Sequence, residues 1–234
     1  MKALIDGDNL AFACAASAED ADESIAIART NTMVEGILQD TQATAYEVWL
    51  SGPNNFRYKV YPEYKAQRKD KPRPIHEKAC RQFLIDNWQA NLSDGCEADD
   101  MLGARQLESE ASIICHLDKD LNQIPGWHFN WELRRKENIV REKKTYFVTP
   151  EEADRFFYYQ LLIGDATDNI KGIRGVGPVK AAAFLDGVPK QEWYERIKDM
   201  FTCEEELDMN AQCVYIWRKN KDNWRNIIGD TTIS

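Results

Sequence analysis

Short apolar runs that end on acids set the rhythm of the first half of the chain. "KALIDGDNLAF" opens with Ala3 to Ile5, which reads as a short buried strand, then a turn at Gly7 and the start of a helix. "YEVWLSGPNN" repeats the pattern with a Gly-Pro turn, and "SIICHL" gives a third strand closed by Asp118 and Asp120. Between the strands the period becomes helical: Ile75 to Gln89 carries Ala79, Phe83, Leu84 and Trp88 as its apolar positions. Strands alternating with helices predict an α/β fold with a mostly parallel central sheet. Ligands bind outside the carboxyl ends of such strands, which puts Asp6, Ser51, Asp118 and Asp120 at one expected edge. From "EADRFFYYQLLIG" onward the pattern is helical, broken by Gly172, Gly175 and Gly177. A division near residue 160 separates the α/β part from later helices expected to pack on it.

At 234 residues the chain suits one α/β core with a small extension. Its 43% hydrophobic and 29% charged residues fit a soluble globular protein, and no apolar stretch has the length of a membrane span. Small residues in "LAFACAASAED" resemble a signal-cleavage site, but Asp6 and Asp8 interrupt the apolar region such a signal needs, so a cytoplasmic protein that starts here is expected. Six cysteines without CxxC spacing, and three histidines none of which pairs with a cysteine at finger spacing, argue for reduced thiols and against structural zinc. Any metal should be oxygen-bound. The formal net charge of −9 excludes simple coating of nucleic acid by a basic surface. A nuclease is not excluded, because carboxylates that hold cations are neutralised in use.

Four acidic clusters stand out: Asp6 with Asp8; Glu97, Asp99 and Asp100 in "CEADDMLGA"; Asp118 with Asp120; and Asp165 with Asp168 in "GDATDN". Each has a local explanation. Acids in a first helical turn gain about 0.3–1 kcal/mol from the macrodipole, and aspartates at strand ends make Asx turns or caps. Together these explanations weaken, because three of the four clusters follow a strand or open a helix at the same predicted edge, where like charges repel unless cations sit among them. Oxygen ligands suit Mg²⁺ or Mn²⁺. Two ions about 3.5–4 Å apart are a standard arrangement for phosphodiester hydrolysis, one activating water and the other steadying the leaving oxygen.

Against the acidic background, "RYKVYPEYKAQRKDKPR" interleaves Arg57, Lys59, Lys65, Arg68, Lys69, Lys71 and Arg73 with Tyr58, Tyr61 and Tyr64. Lys65, Arg68 and Lys69 have the i, i+3, i+4 spacing of one helix face. Such cations clamp phosphate, and a tyrosine can stack on an unpaired base; the plain alternative is a solvated loop. In "NIKGIRGVGPVKAAAFL", Gly175 and Gly177 permit close approach of backbone N–H groups to a phosphate, Pro178 suits the first turn of a helix, and Lys180 adds charge. A tight turn between packed helices explains one glycine better than three.

"LIDGDNLAF", "YKAQR", "EADD", "LDKDLNQIPG" and "GDATDNIKGIRGVGP", in this order, resemble the 5′→3′ exonucleases and structure-specific flap endonucleases, in particular their free-standing bacteriophage members. The resemblance implies a PIN-like three-layer domain over 1–160 with an arch region at about 60–95, and a helix-hairpin-helix with C-terminal helices over 161–234. Asp6, Glu97, Asp99 and Asp100 match the family's first metal cluster, and Asp118, Asp120, Asp165 and Asp168 its second. Lys65 and Arg68 match its phosphate-contacting pair, and, with Asp99, Asp118 and Asp120, make up the implied catalytic group. Tyr64 lies where the family stacks a base. Gly172, Ile173, Gly175, Val176, Gly177 and Lys180 fall in its duplex-gripping hairpin, which often surrounds a K⁺ ion. The resemblance further implies two Mg²⁺ or Mn²⁺ ions, a monomer, and DNA with 5′ ends, flaps, nicks or branches as substrate, with RNA–DNA hybrid as a variant. One departure is Ser51, where the family commonly carries an aspartate. A rival reading is a non-catalytic module that binds branched DNA; a PIN-type ribonuclease leaves the hairpin and "YKAQR" unexplained.

Overall fold

The computed structural model describes residues 1–68, 71–109, 111–135 and 138–229. Its centre is a six-stranded sheet in the order β3-β2-β1-β4-β5-β8. The strands are β1 (Lys2–Asp6), β2 (Ala45–Leu50), β3 (Asn91–Leu92), β4 (Ser112–Cys115), β5 (Gly126–Asn130) and β8 (Lys144–Val148), with the hairpin β6 (Leu133–Arg135) and β7 (Asn138–Arg141) between the last two. All pairings in the sheet are parallel except β5 with β8. After β1 the chain lays down β2 and β3 on one side, then crosses to β4 on the other. That reversal opens a crevice at the carboxyl ends of β1 and β4, where parallel sheets bind ligands.

The two-residue strand period decides which side chain serves which layer. Ala3, Ile5, Ile113 and Cys115 face one layer with α1 (Gly7–Ser17), α2 (Glu23–Thr41) and α4 (Glu77–Trp88), while Leu4 and Ile114 face Leu102 of α5 (Ala98–Glu108). Both faces are covered, so these strands are apolar throughout rather than alternating. Leu4 is fully buried, and Leu4→Ala is expected to cost about 2–5 kcal/mol. The helices assigned from periodicity form close to their expected bounds, Ile75–Gln89 appearing as Glu77–Trp88.

A separate core joins α6 (Pro150–Ile163), α7 (Pro178–Gly187), α8 (Trp193–Lys198) and α9 (Glu204–Val214) around Phe157, Tyr158, Leu185, Trp193 and Trp224. Thr149 and Glu152 form a capping box at the start of α6, with Pro150 in the first turn. Residue 160 lies inside α6, and the cores interleave along the chain: Tyr64 joins the helical core and Ile216 packs with Leu4 and Leu102 beneath the sheet. Among the described residues no helix is long and apolar enough to cross a membrane.

The basic segment opens with the short helix α3 (Arg57–Val60) but then departs from its helical expectation. Lys65 has φ 56 and its N–H donates to the Asp168 carbonyl at 2.9 Å, after which Ala66–Arg68 form one 3-10 turn. A residue in the left-handed region cannot continue a helix face, so Lys65 and Arg68 do not share one. Lys69 lies outside the described residues.

Candidate active site

At the carboxyl ends of β1, β2 and β4 lies a cavity of about 120 Å³, lined by Asp6, Asp8, Ser51, Lys65, Arg68, Glu97, Asp99, Asp118, Asp120, Asp165 and Asp168, with Tyr64 and Gln160 in its wall. Local rules place the acids. Asp6 caps α1, accepting from Asn9 N at 2.9 Å. Asp118 accepts from Asp120 N at 2.9 Å and opens the 3-10 turn Lys119–Gln123. Asp165 accepts from Thr167 N at 2.6 Å in an Asx turn. Capping and cavity lining therefore coexist: the backbone bonds use Oδ1 of each acid, and Asp6 Oδ2 also accepts from the Asn9 side-chain amide.

Burial and mutual repulsion dominate the electrostatics. Burial pushes Asp6 up to about 7, with the Asp118 charge adding to it against the bonds from Asn9. Asp120 rises to about 8, first through burial, then through Asp118 and Asp165. Asp99 is pushed well above the carboxylate range by burial, Asp6 and Asp118, and burial also raises Asp168 despite Lys65 and Arg68. Burial acts the same way on Glu97 but is outweighed by Lys65 and Arg57, which hold it below its ordinary value.

Cations of the protein occupy part of this field. Lys65 Nζ donates to Glu97 Oε1 and lies 3.7 Å from Asp168 Oδ2, and Arg68 Nη2 is 2.5 Å from Asp168 Oδ1. The Tyr64 hydroxyl sits between Glu97 (3.1 Å) and Asp168 (2.9 Å). As the side chains stand, no three carboxylate, thiol or imidazole groups among the described residues are gathered closely enough to hold an ion. The donor set nevertheless fits hard divalent cations: it is all oxygen, and several of its acids are too strongly opposed to ionise together without added positive charge.

Three expected roles change. Asp100 does not line the cavity: it is fully buried, takes a bidentate pair from Arg57 at 2.6 and 2.8 Å, and accepts from Glu97 N and Trp217 N. Its oxygens are committed, and it belongs to the packing of α5 rather than to an ion. Tyr64 is 1% exposed, so its face is closed to a stacked base. Tyr58, packed edge-on against it at 5.6 Å, is the exposed aromatic there. None of Gly172, Ile173, Gly175, Val176, Gly177 and Lys180 lines the cavity. Gly172 to Gly177 form a turn before α7, preceded by the antiparallel pair β9 (Gly164–Asp165) and β10 (Ile170–Lys171), and Lys180 lies in the first turn of α7. Arg57, expected among the phosphate-clamping cations, is instead buried and committed to Asp100; residues not foreseen are Gln160, which donates to Asp120 Oδ1 at 2.7 Å, and Arg81, which pairs with Asp8. Arg81 sits on the polar face of a helix read only for its apolar positions.

Residues 2–151 match the family described as 5'-3' exonuclease, N-terminal resolvase-like domain. The chain belongs to this family. Among curated relatives, a 5'-3' exonuclease of Buchnera aphidicola subsp. Acyrthosiphon pisum is 33% identical over 155 residues, 59% of this chain and 50% of that protein. Flap endonuclease Xni of Shewanella sp. (strain W3-18-1) is 28% identical over 59% of this chain and 55% of its own length. DNA polymerase I of Bacillus caldotenax is 29% identical over 65% of this chain but only 19% of the polymerase. The chain thus spans about half, or less, of these relatives. The fold matches bacteriophage T5 5'-exonuclease with bound zinc at TM-score 0.66 and 18% identity, covering 99% of this chain and 98% of that one. The T5 D15 flap endonuclease in complex with DNA and metal ions matches at 0.62 and 17%, covering 98% and 97%.

Proposed function

We propose that the protein is a metal-dependent 5′→3′ exonuclease and structure-specific 5′-flap endonuclease, hydrolysing DNA to 5′-phosphate and 3′-hydroxyl ends. The observation that carries this reading is the meeting of acids from β1, α5, the turn after β4 and the α6–α7 connection in one cavity, with Lys65 and Arg68 seated on two of them, Glu97 and Asp168. Asp6, Glu97 and Asp99 would hold one Mg²⁺ or Mn²⁺ ion, and Asp118, Asp120, Asp165 and Asp168 a second. Such ions, when bound, lower the pKa of water and offset charge on the phosphodiester oxygens. Lys65 and Arg68, drawn off their carboxylates by substrate, would face the scissile phosphate and act on charge that grows in the transition state. Tyr64 keeps Glu97 and Asp168 in register across the two groups.

The turn at 172–177 fits a backbone grip on duplex DNA. Gly172 has a packing reason, since a Cβ there would come within 2.1 Å of the Ile163 carbonyl carbon, and Gly175 has a conformational one at φ +80. Gly177 has neither: it caps α7 at φ −99, and a Cβ would meet nothing within 4 Å. A glycine free of internal constraint, at an exposed helix N-terminus beside Lys180, supports close approach by an external phosphate or a K⁺-bridged one. RNA–DNA hybrid as a variant substrate, a monomeric state and a cytoplasmic location go with this reading. Its test is cleavage of a 5′-flap, a nicked duplex and an RNA–DNA hybrid with Mg²⁺, Mn²⁺ or chelator. Metal-dependent release of 5′-phosphorylated products is expected. Tight binding of the flap with no cleavage under any ion would favour a non-catalytic branched-DNA module, the reading that the neutral Ser51 supports.

A further inference from the structure

Three cations rest on acids that line the cavity, Lys65 and Arg68 from within its lining and Arg81 from just outside it. Lys65 lies on Glu97, Arg68 on Asp168, and Arg81, reaching from α4, on Asp8. The first two stand on the wall formed by the α6–α7 connection. Arg81 stands at the end of β2, where its Nη2 donates to the Ser51 carbonyl at 2.8 Å while Asp8 Oδ2 accepts from Ser51 N at 2.9 Å. Ser51 brings no charge to this corner, and its hydroxyl is used by Ala98 N at 2.9 Å. An acid at position 51 would compete for Arg81; with serine there, Asp8 is the carboxylate it pairs with. Two of the five guanidinium donors are taken, and the side chain is 24% exposed.

Building on the nuclease reading, we propose that Arg81 is a substrate-positioning residue that binds a backbone phosphate of the nucleic acid on the Ser51 side of the cavity, with Asp8 as the resting partner it leaves when the strand enters. Lys65 and Arg68 then hold the strand beside Glu97 and Asp168, and Arg81 holds it beside Ser51. A guanidinium suits this role, since its fork can keep the Ser51 carbonyl while turning its remaining donors to phosphate. The competing explanation is an ion pair that only ties α4 to β2.

The two explanations give opposite signs for Asp8. Binding of a 5′-flap DNA would be measured in EDTA, over a salt series, for wild type, Arg81→Met, Arg81→Lys, Asp8→Asn and Asp8→Asn with Arg81→Met, with circular dichroism to confirm folding. Arg81→Met is expected to weaken binding roughly tenfold or more and to lower the slope of log K against log salt by about 0.7–0.9, one phosphate contact. Arg81→Lys should keep most of the slope. Asp8→Asn should tighten binding severalfold by releasing Arg81, and the gain should vanish in the double variant. A purely structural tie predicts that Asp8→Asn and Arg81→Met change binding in the same direction, and that outcome overturns the proposal, as does an unchanged Arg81→Met. Wild-type protein that fails to bind the flap in EDTA and in Ca²⁺ alike overturns the nuclease reading with it; wild type that binds beside an unaffected Arg81→Met removes only the role of Arg81.

Discussion

Removing divalent ions and varying pH should expose the opposed carboxylates directly. Asp6, ordinarily at 3.8, is raised to about 7, and Asp120 to about 8. A carboxyl whose folded value is raised contributes stability that is fully present below its unfolded value near 4, and loses it as pH rises through the folded value. For the metal-free protein this predicts a loss between pH 5 and 7 of about 3 kcal/mol from Asp6 alone, at 1.36 kcal/mol per pH unit. His116 and His128 act in the opposite sense. Burial lowers them to about 3 and about 4, so their contribution is complete above about 6.5 and is lost as pH falls. A simple melting curve against pH therefore mixes the two.

The difference between melting temperatures with and without Mn²⁺ separates them, because the histidines titrate alike in both arms. An ion that must displace a proton from Asp6 binds about tenfold more tightly per pH unit below 7, or about 30-fold between pH 5.5 and 7. At a Mn²⁺ concentration of 100 times Kd at pH 7, the ion contributes about 2.7 kcal/mol, which is about 5–11 °C for a chain of this size. The same concentration at pH 5.5 is only about three times Kd, worth about 0.8 kcal/mol and about 2–3 °C. The gain should go on rising towards pH 8, as Asp120 ionises. A Mn²⁺-induced shift that is equal at pH 5.5 and pH 7.5 would refute the argument that these buried acids hold the ion.

Further outcomes follow from the geometry. Asp118→Asn should cut turnover by orders of magnitude while leaving DNA affinity in Ca²⁺ near that of wild type, because losing a ligand spoils ion geometry more than docking; near-normal turnover would remove Asp118 from the ion set. Arg57→Met strands Asp100 as an unpaired buried charge and should cost about 3–5 kcal/mol, lowering the melting temperature by about 6–20 °C; a change within 2 °C would mean the pair is solvated in solution. Gly175→Val, forced to φ +80, should distort the 172–177 turn and weaken binding to a flap with a long duplex arm more than to one with little duplex, while cleavage at saturating enzyme survives; equal affinity for both substrates would confine the turn to packing.

The parts of the fold with a strong short-range signal were legible. Ala3 to Ile5 and the run at Ser112 to Cys115 have no polar interruption, and the acids that follow them stand at the carboxyl edge because a parallel sheet aligns all its strands the same way. The conformation of "YKAQR" was not legible, because its cause is remote. Lys65 adopts its left-handed backbone while its N–H bonds Asp168, over a hundred residues away. Helical spacing described the cations correctly as neighbours in sequence but gave them the wrong geometry. Burial of Tyr64 has the same origin, since its hydroxyl partners lie 33 and 104 residues along the chain.

"EADD" shows where reading by motif stops and helix geometry takes over. Consecutive residues on an α-helix point about 100° apart, so Asp99 and Asp100 cannot both face one cavity. Asp99 lines it and carries the strongly opposed charge, whereas Asp100 turns inward to Arg57 and to the backbone N–H of Glu97. The inward acid fixes the outward ones. By accepting from Glu97 N it sets the first turn of α5, and by holding Arg57 it places a positive charge that helps keep Glu97 ionised. Three acids in four positions thus divide their work: Asp100 fixes the helix start, Glu97 is kept charged beside Lys65, and Asp99 remains the acid most in need of a cation.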